Sequence, residues 1–168
     1  GGKALLVDCG LFQGYKLLRQ RNWRPLPVEP HEIDAVLLTH AHLDHSGYLP
    51  LLAKGGFGGP VFCTSGTRDL CAILLPDSGH LQEEEAAYLN RHHLSKHEPA
   101  LPLYTRLDAQ HSLSLLRAQP ARTPFEPLPA GAPRSRAPAT SWARPASCWK
   151  WAGGASCSRA TWADRTTC

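Results

Sequence analysis

Short apolar runs, each closed by a polar residue or a turn, recur along the first part of the chain. KALLVD (residues 3–8) ends on an acid ahead of Cys9-Gly10, IDAVLL (33–38) runs directly into Thr39-His40, and PVFC (60–63) follows Gly58-Gly59. Runs this short and continuous predict buried strands that deliver polar groups at their ends. The stretches between them have helical spacing. Gly14 to Arg24 is basic with a roughly helical period, and Pro25, Pro27 and Pro30 then interrupt regular structure. Ser46 to Lys54 offers Tyr48, Leu49, Leu51 and Leu52 as an apolar face and is stopped by Gly55-Gly56. Ser65 or Thr67 can cap a helix through Leu75, and Asp77 or Ser78 another from about Gly79 to His97, because their side chains accept orphan backbone N–H bonds. Leu113 to Leu116 closes the last expected helix. Strands alternating with helices predict an α/β layered domain.

Composition divides the 168 residues in two. Residues 1–117 hold all 9 His with acids and bases nearly balanced, whereas residues 118–168 hold no His, most of the Trp, many Arg and Pro, and only Glu126 and Asp164 as acids. The formal net charge of +4 therefore belongs to the tail. Its Arg residues lie among Pro, Ala and Ser with neither aromatic alternation nor helical period, so they define no nucleic-acid motif. No apolar run approaches the roughly 20 residues of a membrane helix and no charged-then-apolar leader opens the chain, so a soluble, cytoplasmic protein without a membrane partner is expected. Methionine is absent and the chain opens Gly1-Gly2, from which a truncated N-terminus is expected. The 6 Cys form no CxxC pair, which points to free buried thiols rather than a zinc knuckle or redox motif.

The chemistry concentrates in His40-x-His42-x-Asp44-His45, directly after the second apolar run. Zinc binds neutral imidazole nitrogen and carboxylate oxygen at roughly 2.0–2.2 Å. Alternate residues of an extended turn point the same way, so His40 and His42 can clasp one ion while Asp44 and His45 face a neighbouring one. Divalent ions so placed depress the pKa of water and make it a nucleophile for hydrolysis. A solvated turn would favour Ser, Asn, Gly and Lys instead, and packing alone does not explain four ligand-type side chains in six positions.

THAHLDHSGYLP (residues 39–50) resembles the metal motif of the metallo-β-lactamase fold. LLVDCGLFQG ahead of it, DSGHLQEEEA (77–86) behind it and PLYTRLDA (102–109) further on together resemble the β-CASP branch, zinc-dependent RNA endo- and exonucleases related to the cleavage and polyadenylation nuclease. The resemblance covers roughly Lys3 to Leu116. It implies an αββα sandwich, two zinc ions, and RNA as partner. His40 and His42 match ligands of the first zinc, and Asp44 and His45 match ligands of the second and catalytic centre. Asp8 matches an acid that orients the site, because a carboxylate receiving an imidazole N–H fixes the tautomer and raises ligand basicity. His80 falls in a segment that the resemblance makes a helix ahead of the nuclease lid and is not expected to ligate metal; His92, His93, His97 and His111 are expected at the polar surface, and Glu83-Glu84-Glu85 on a solvated helix face.

The chain departs from that pattern after Leu116. The segment supplying a further first-zinc His, the strand ending in a bridging Asp, and the inserted β-CASP domain have no counterpart. Back-translated from Pro138 and read one base out of register, the tail permits GHILGAASVLLEVGGRRVLFSGDLGRPDD, which resembles the two missing motifs. Trp142-Ala143, Trp149-Lys150 and Trp162-Ala163 force Gly, Glu and Gly at their positions in that reading. A frameshift between about Leu116 and Pro138 is therefore expected. The chain then divides into a partial metallo-β-lactamase domain over residues 1–116, an incomplete αββα sandwich, and a poorly ordered tail over 117–168. Catalytic zinc usually needs at least three protein ligands, so weak or partial metal binding and little hydrolysis are expected of the chain by itself. Two other readings are a non-catalytic RNA-binding module using the basic tail and a small-molecule hydrolase of the same fold, such as a thioesterase or lactonase. The DSGHLQEEEA and PLYTRLDA flanks argue against the latter.

Overall fold

A computed structural model describes residues 3–120 and 124–128. Strands β1 (Leu5–Val7), β2 (Ala35–Leu37), β3 (Val61–Thr64) and β4 (Leu116–Gln119) lie side by side in chain order, and every neighbouring pair is parallel. Parallel neighbours require a crossover between consecutive strands, so the polar, helix-spaced stretches become connections over the sheet. The register aligns Leu6, Val36, Val61 and Leu116 in one row. Against the core built on that row pack Leu49 and Leu52 of α3 (Leu49–Lys54), Cys71 and Leu75 of α4 (Ser65–Arg91), Ala109 of α5 (Arg106–Leu113), and Tyr104. The adjacent row of Val7, Leu37, Phe62 and Arg117 points to the opposite face, where none of the four is fully buried. Phe125 tilts onto Phe62 there, with ring centroids 5.2 Å apart. The fold is mixed α/β, as the strand–helix alternation predicts. No helix among the described residues is long and apolar enough to cross a membrane.

The expected strands contain β1 and β2 and overlap β3, which runs one residue further, to Thr64, but the helices differ from expectation in ways that physical causes account for. The basic stretch after Gly14 forms only one short helix, α1 (Lys16–Arg19), followed by a 3-10 turn over Gln20–Trp23. The helix expected over Ser46–Lys54 is two. α2 (Leu43–Ser46) lies inside the metal-type motif and α3 starts anew at Leu49, where Pro50 occupies the first turn in which a missing N–H costs nothing. The two helices expected on either side of Pro76 are instead one, α4, capped by Thr64, whose hydroxyl accepts from the Thr67 N–H at 3.2 Å. Proline in a helix interior costs about 3 kcal/mol; the flanking buried positions Cys71, Leu75, Ser78 and Gly79 hold the helix through it. α4 ends at Arg91, short of His97.

The last expected helix closes at Leu113, and Leu116 opens β4 rather than ending a helix. The boundary drawn after Leu116 therefore cuts a strand whose residues through Gln119 pair with β3. Leu-Arg-Ala-Gln has no apolar run to reveal it, and the pairing with Val61 to Thr64 makes the strand. Residues 129–168, with Cys148, Cys157, Cys168 and most of the proposed out-of-frame stretch, lie outside the described residues.

Candidate metal centre

β1 and β2 end beside one another, and the carboxyl ends of parallel strands are where open α/β sheets place their ligand crevices. Asp8 follows β1 in the left-handed region, φ 58°, which Asp tolerates better than most side chains. Its N–H still reaches the Leu37 carbonyl at 2.8 Å, while the side chain turns under the segment that follows β2. Asp8 as a whole is 9% exposed, and its carboxylate is fully engaged. It accepts the Thr39 backbone N–H at 2.7 Å, the Thr39 hydroxyl at 2.8 Å, and Nδ1 of His45 at 2.9 Å.

The loop after Asp8 is laced to α2 by backbone bonds. Cys9 N–H donates to the His45 carbonyl at 2.7 Å, Leu11 N–H to Leu43 at 2.9 Å, and Tyr48 N–H to Cys9 at 2.9 Å. The approach is close enough that a β-carbon on Gly10 would overlap the Asp44 carbonyl. From inside the turn, the buried Ser46 hydroxyl lies 2.9 Å from the Ala41 carbonyl and 3.1 Å from that of His42. Burial pushes the Cys9 thiol far above the ordinary range, and the Asp8 charge beside it and Cys71 push it further. The Tyr48 phenol is raised by burial as well. Both groups stay neutral beneath the motif.

His40, His42 and His45 stand together above this base. The ring centroids of His40 and His45 are 4.0 Å apart and those of His40 and His42 4.7 Å. With Nδ1 held by Asp8, His45 presents Nε2, which lies 3.6 Å from Oδ2 of Asp44. Two donors on one tetrahedral ion are separated by about 3.3–3.6 Å, given metal–donor distances of about 2.0–2.2 Å. The Asp44–His45 pair therefore fits one shared divalent ion. Among the described residues no group of three or more His, Cys, Asp or Glu side chains converges to hold a metal. The donors present fit part of a divalent site rather than a closed one.

Asp8, His40, His42, Asp44 and His45, the residues singled out in the sequence, thus occupy one corner of the sheet. His80 lies on α4 beside Glu84, at 3.4 Å, and the His92 ring leans at a tilt against Tyr88. His111 lines a separate cavity of about 210 Å³ with Lys54, Phe57 and Asp108. Sequence reasoning passed over Thr39, Gly10 and Ser46. Thr39 and Gly10 directly adjoin the motif and Asp8-Cys9, but their roles depend on contacts across the loop that no spacing reveals.

The profile of the metallo-beta-lactamase superfamily matches residues 1–60, a stretch that contains all five of these side chains. Over that stretch the chain is similar to the metallo-β-lactamase superfamily. Its relatives narrow the branch. Ribonuclease TTHA0252 of Thermus thermophilus is 49% identical over 84 residues, covering 50% of this chain and 19% of that protein. Transcription termination factor FttA of Methanothermobacter thermautotrophicus is 48% identical over 98 residues, 55% of this chain and 15% of that one. Integrator complex subunit 11 of Danio rerio is 35% identical over 86 residues, 46% and 14% respectively. These relatives agree with the β-CASP resemblance of the flanking motifs. The chain spans less than a fifth of the length of each.

Proposed function

We propose that this chain carries the N-terminal part of a divalent-metal centre for RNA hydrolysis, with zinc as the metal. Its support is the Asp8–His45–Asp44 arrangement, in which a buried carboxylate holds one imidazole nitrogen and leaves the other 3.6 Å from a second carboxylate. Names of relatives that include a ribonuclease favour RNA as the substrate. His40 and His42 serve one ion, Asp44 and His45 the neighbouring one, and Asp8 orients His45. Bound divalent ions supply Lewis acidity and an activated water nucleophile. Asp44 and His45 would hold the ion that acts on the phosphodiester. Asp8 fixes the imidazole that faces it, and Gly10 keeps the Asp44–His45 backbone seated on the loop. The free thiols Cys9, Cys63 and Cys71 are in keeping with a reducing, cytoplasmic setting.

A site needing at least three protein ligands per ion is incomplete in the described residues, so by itself the chain binds metal weakly and turns over little or no RNA. Calorimetric titration of the full chain with zinc tests the assignment. Weak binding that is lost in His45→Ala and Asp44→Ala but kept in His80→Ala supports the reading; binding unaffected by His45→Ala sinks it. An RNA-cleavage assay runs alongside, and turnover abolished by Asp44→Ala would overturn the inactivity of the isolated chain.

A further inference from the structure

Thr39 stands between Asp8 and His40 with one hydroxyl and two neighbours. Its Oγ1 lies 2.8 Å from Oδ2 and 3.1 Å from Oδ1 of Asp8, and 2.9 Å from Nδ1 of His40. A hydroxyl has one proton to give and lone pairs to receive with, whereas a carboxylate only accepts. The Thr39 proton therefore goes to Asp8. If His40 Nδ1 also accepted from Thr39, one proton would have to serve two acceptors at full hydrogen-bond distance. The contact is satisfied when His40 carries its proton on Nδ1 and donates it to Thr39 Oγ1.

We propose that Thr39 is a positioning residue that relays the Asp8 charge to His40, so that a single buried carboxylate fixes the Nε2-presenting tautomer of both His40, through the hydroxyl, and His45, directly. Each contact polarises the next, because a hydroxyl that donates to a carboxylate becomes a better acceptor. The relay spans the two proposed metal positions, since His40 and His45 belong to different ones. It rests on the proposed metal function only in what the free Nε2 atoms are for. The hydrogen bonds stand without it.

Long-range proton–nitrogen correlation of the imidazole rings reads the tautomers in the metal-free chain well above the ordinary imidazole pKa of about 6.5. His40 and His45 are both expected to show a protonated Nδ1 and a bare Nε2. In Thr39→Val, which keeps the backbone N–H bond to Asp8, His40 is expected to shift toward the Nε2-protonated form while His45 keeps its pattern. Thr39→Ser restores His40. Asp8→Asn disturbs both rings. A zinc titration of the same proteins is expected to show about a tenfold loss of affinity in Thr39→Val and recovery in Thr39→Ser. A wild-type His40 protonated on Nε2 overturns the relay without any variant, as does a serine variant that behaves like valine. Correct tautomers with no zinc binding at all would leave the relay standing and remove the proposed metal function instead.

Discussion

A missing β-carbon decides whether the metal-type motif can sit where it does. Gly10 lies flat against the Asp44 carbonyl, in the loop whose neighbours Cys9 and Leu11 bond to His45 and Leu43. Alanine there must push the loop off α2, and overpacking of this kind costs about 1–3 kcal/mol. Gly10→Ala is expected to lower stability by that amount in chemical denaturation and to weaken zinc binding with it. Gly66→Ala, where an added β-carbon meets nothing within 4 Å, is expected to leave zinc binding unchanged and to raise stability by no more than about 1 kcal/mol. At this scale the sequence exposed the donors and hid their supports. Four ligand-type side chains in six positions announce themselves by chemistry alone. Gly10, Thr39 and Ser46 are ordinary residue types whose importance comes from a partner elsewhere in the chain, such as Asp8 at 31 positions from Thr39.

At the scale of elements, legibility followed the strength of the local pattern. β1 to β3 could be read because each is a continuous apolar run, and β4 could not because its exposed Arg117 and its Gln119 leave no run to read. Pro76 misled in the other direction, since local propensity favours a break and the packing of α4 prevails. That packing includes Gly79, whose absent β-carbon lets the Thr105–Arg106 backbone approach α4, and Tyr104, whose phenol donates to Ser78 at 2.9 Å. α5 begins with a capping box, in which Thr105 Oγ1 accepts from Asp108 N–H at 3.1 Å and Asp108 accepts from Thr105 N–H at 2.9 Å. Thr105→Ala removes half of it and is expected to cost about 1 kcal/mol by denaturant titration. Burial by itself raises the Asp108 carboxyl. The Thr105 backbone N–H and hydroxyl and the Lys54 ammonium more than offset that, holding it below the ordinary carboxylate value. Its contribution to stability is therefore present above the unfolded carboxyl's pKa and lost as pH falls through the folded one. Thr105→Ala is expected to flatten the acid limb of the stability profile.

At the scale of the whole molecule, the buried thiols Cys9, Cys63 and Cys71 among the described residues contribute to the response to alkali. Burial, with Cys71 nearby, pushes the Cys63 thiol up to about 11, and the Cys9 and Cys71 thiols are raised too, chiefly by burial. Unfolded thiols ionise near about pH 8.5, so the folded chain holds protons that the unfolded chain releases. This stabilisation is complete below that pH and declines as pH rises through the folded values. Denaturant midpoints are expected to fall between about pH 8.5 and 11, and Cys63→Ala is expected to make that decline shallower; a midpoint independent of pH in this range would contradict the burial of the thiols.

The order of the sheet has a consequence for how such a chain is made. Each strand pairs with the one that follows it in the sequence, so assembly can advance outward from β1 without waiting for a distant partner. The residues whose bonds define the corner of Asp8 and the three motif histidines all precede α3 in the chain, well before β4 is synthesised. What the later strands and α4 add is the core packed against that corner, so the donors are encoded early and held in place late.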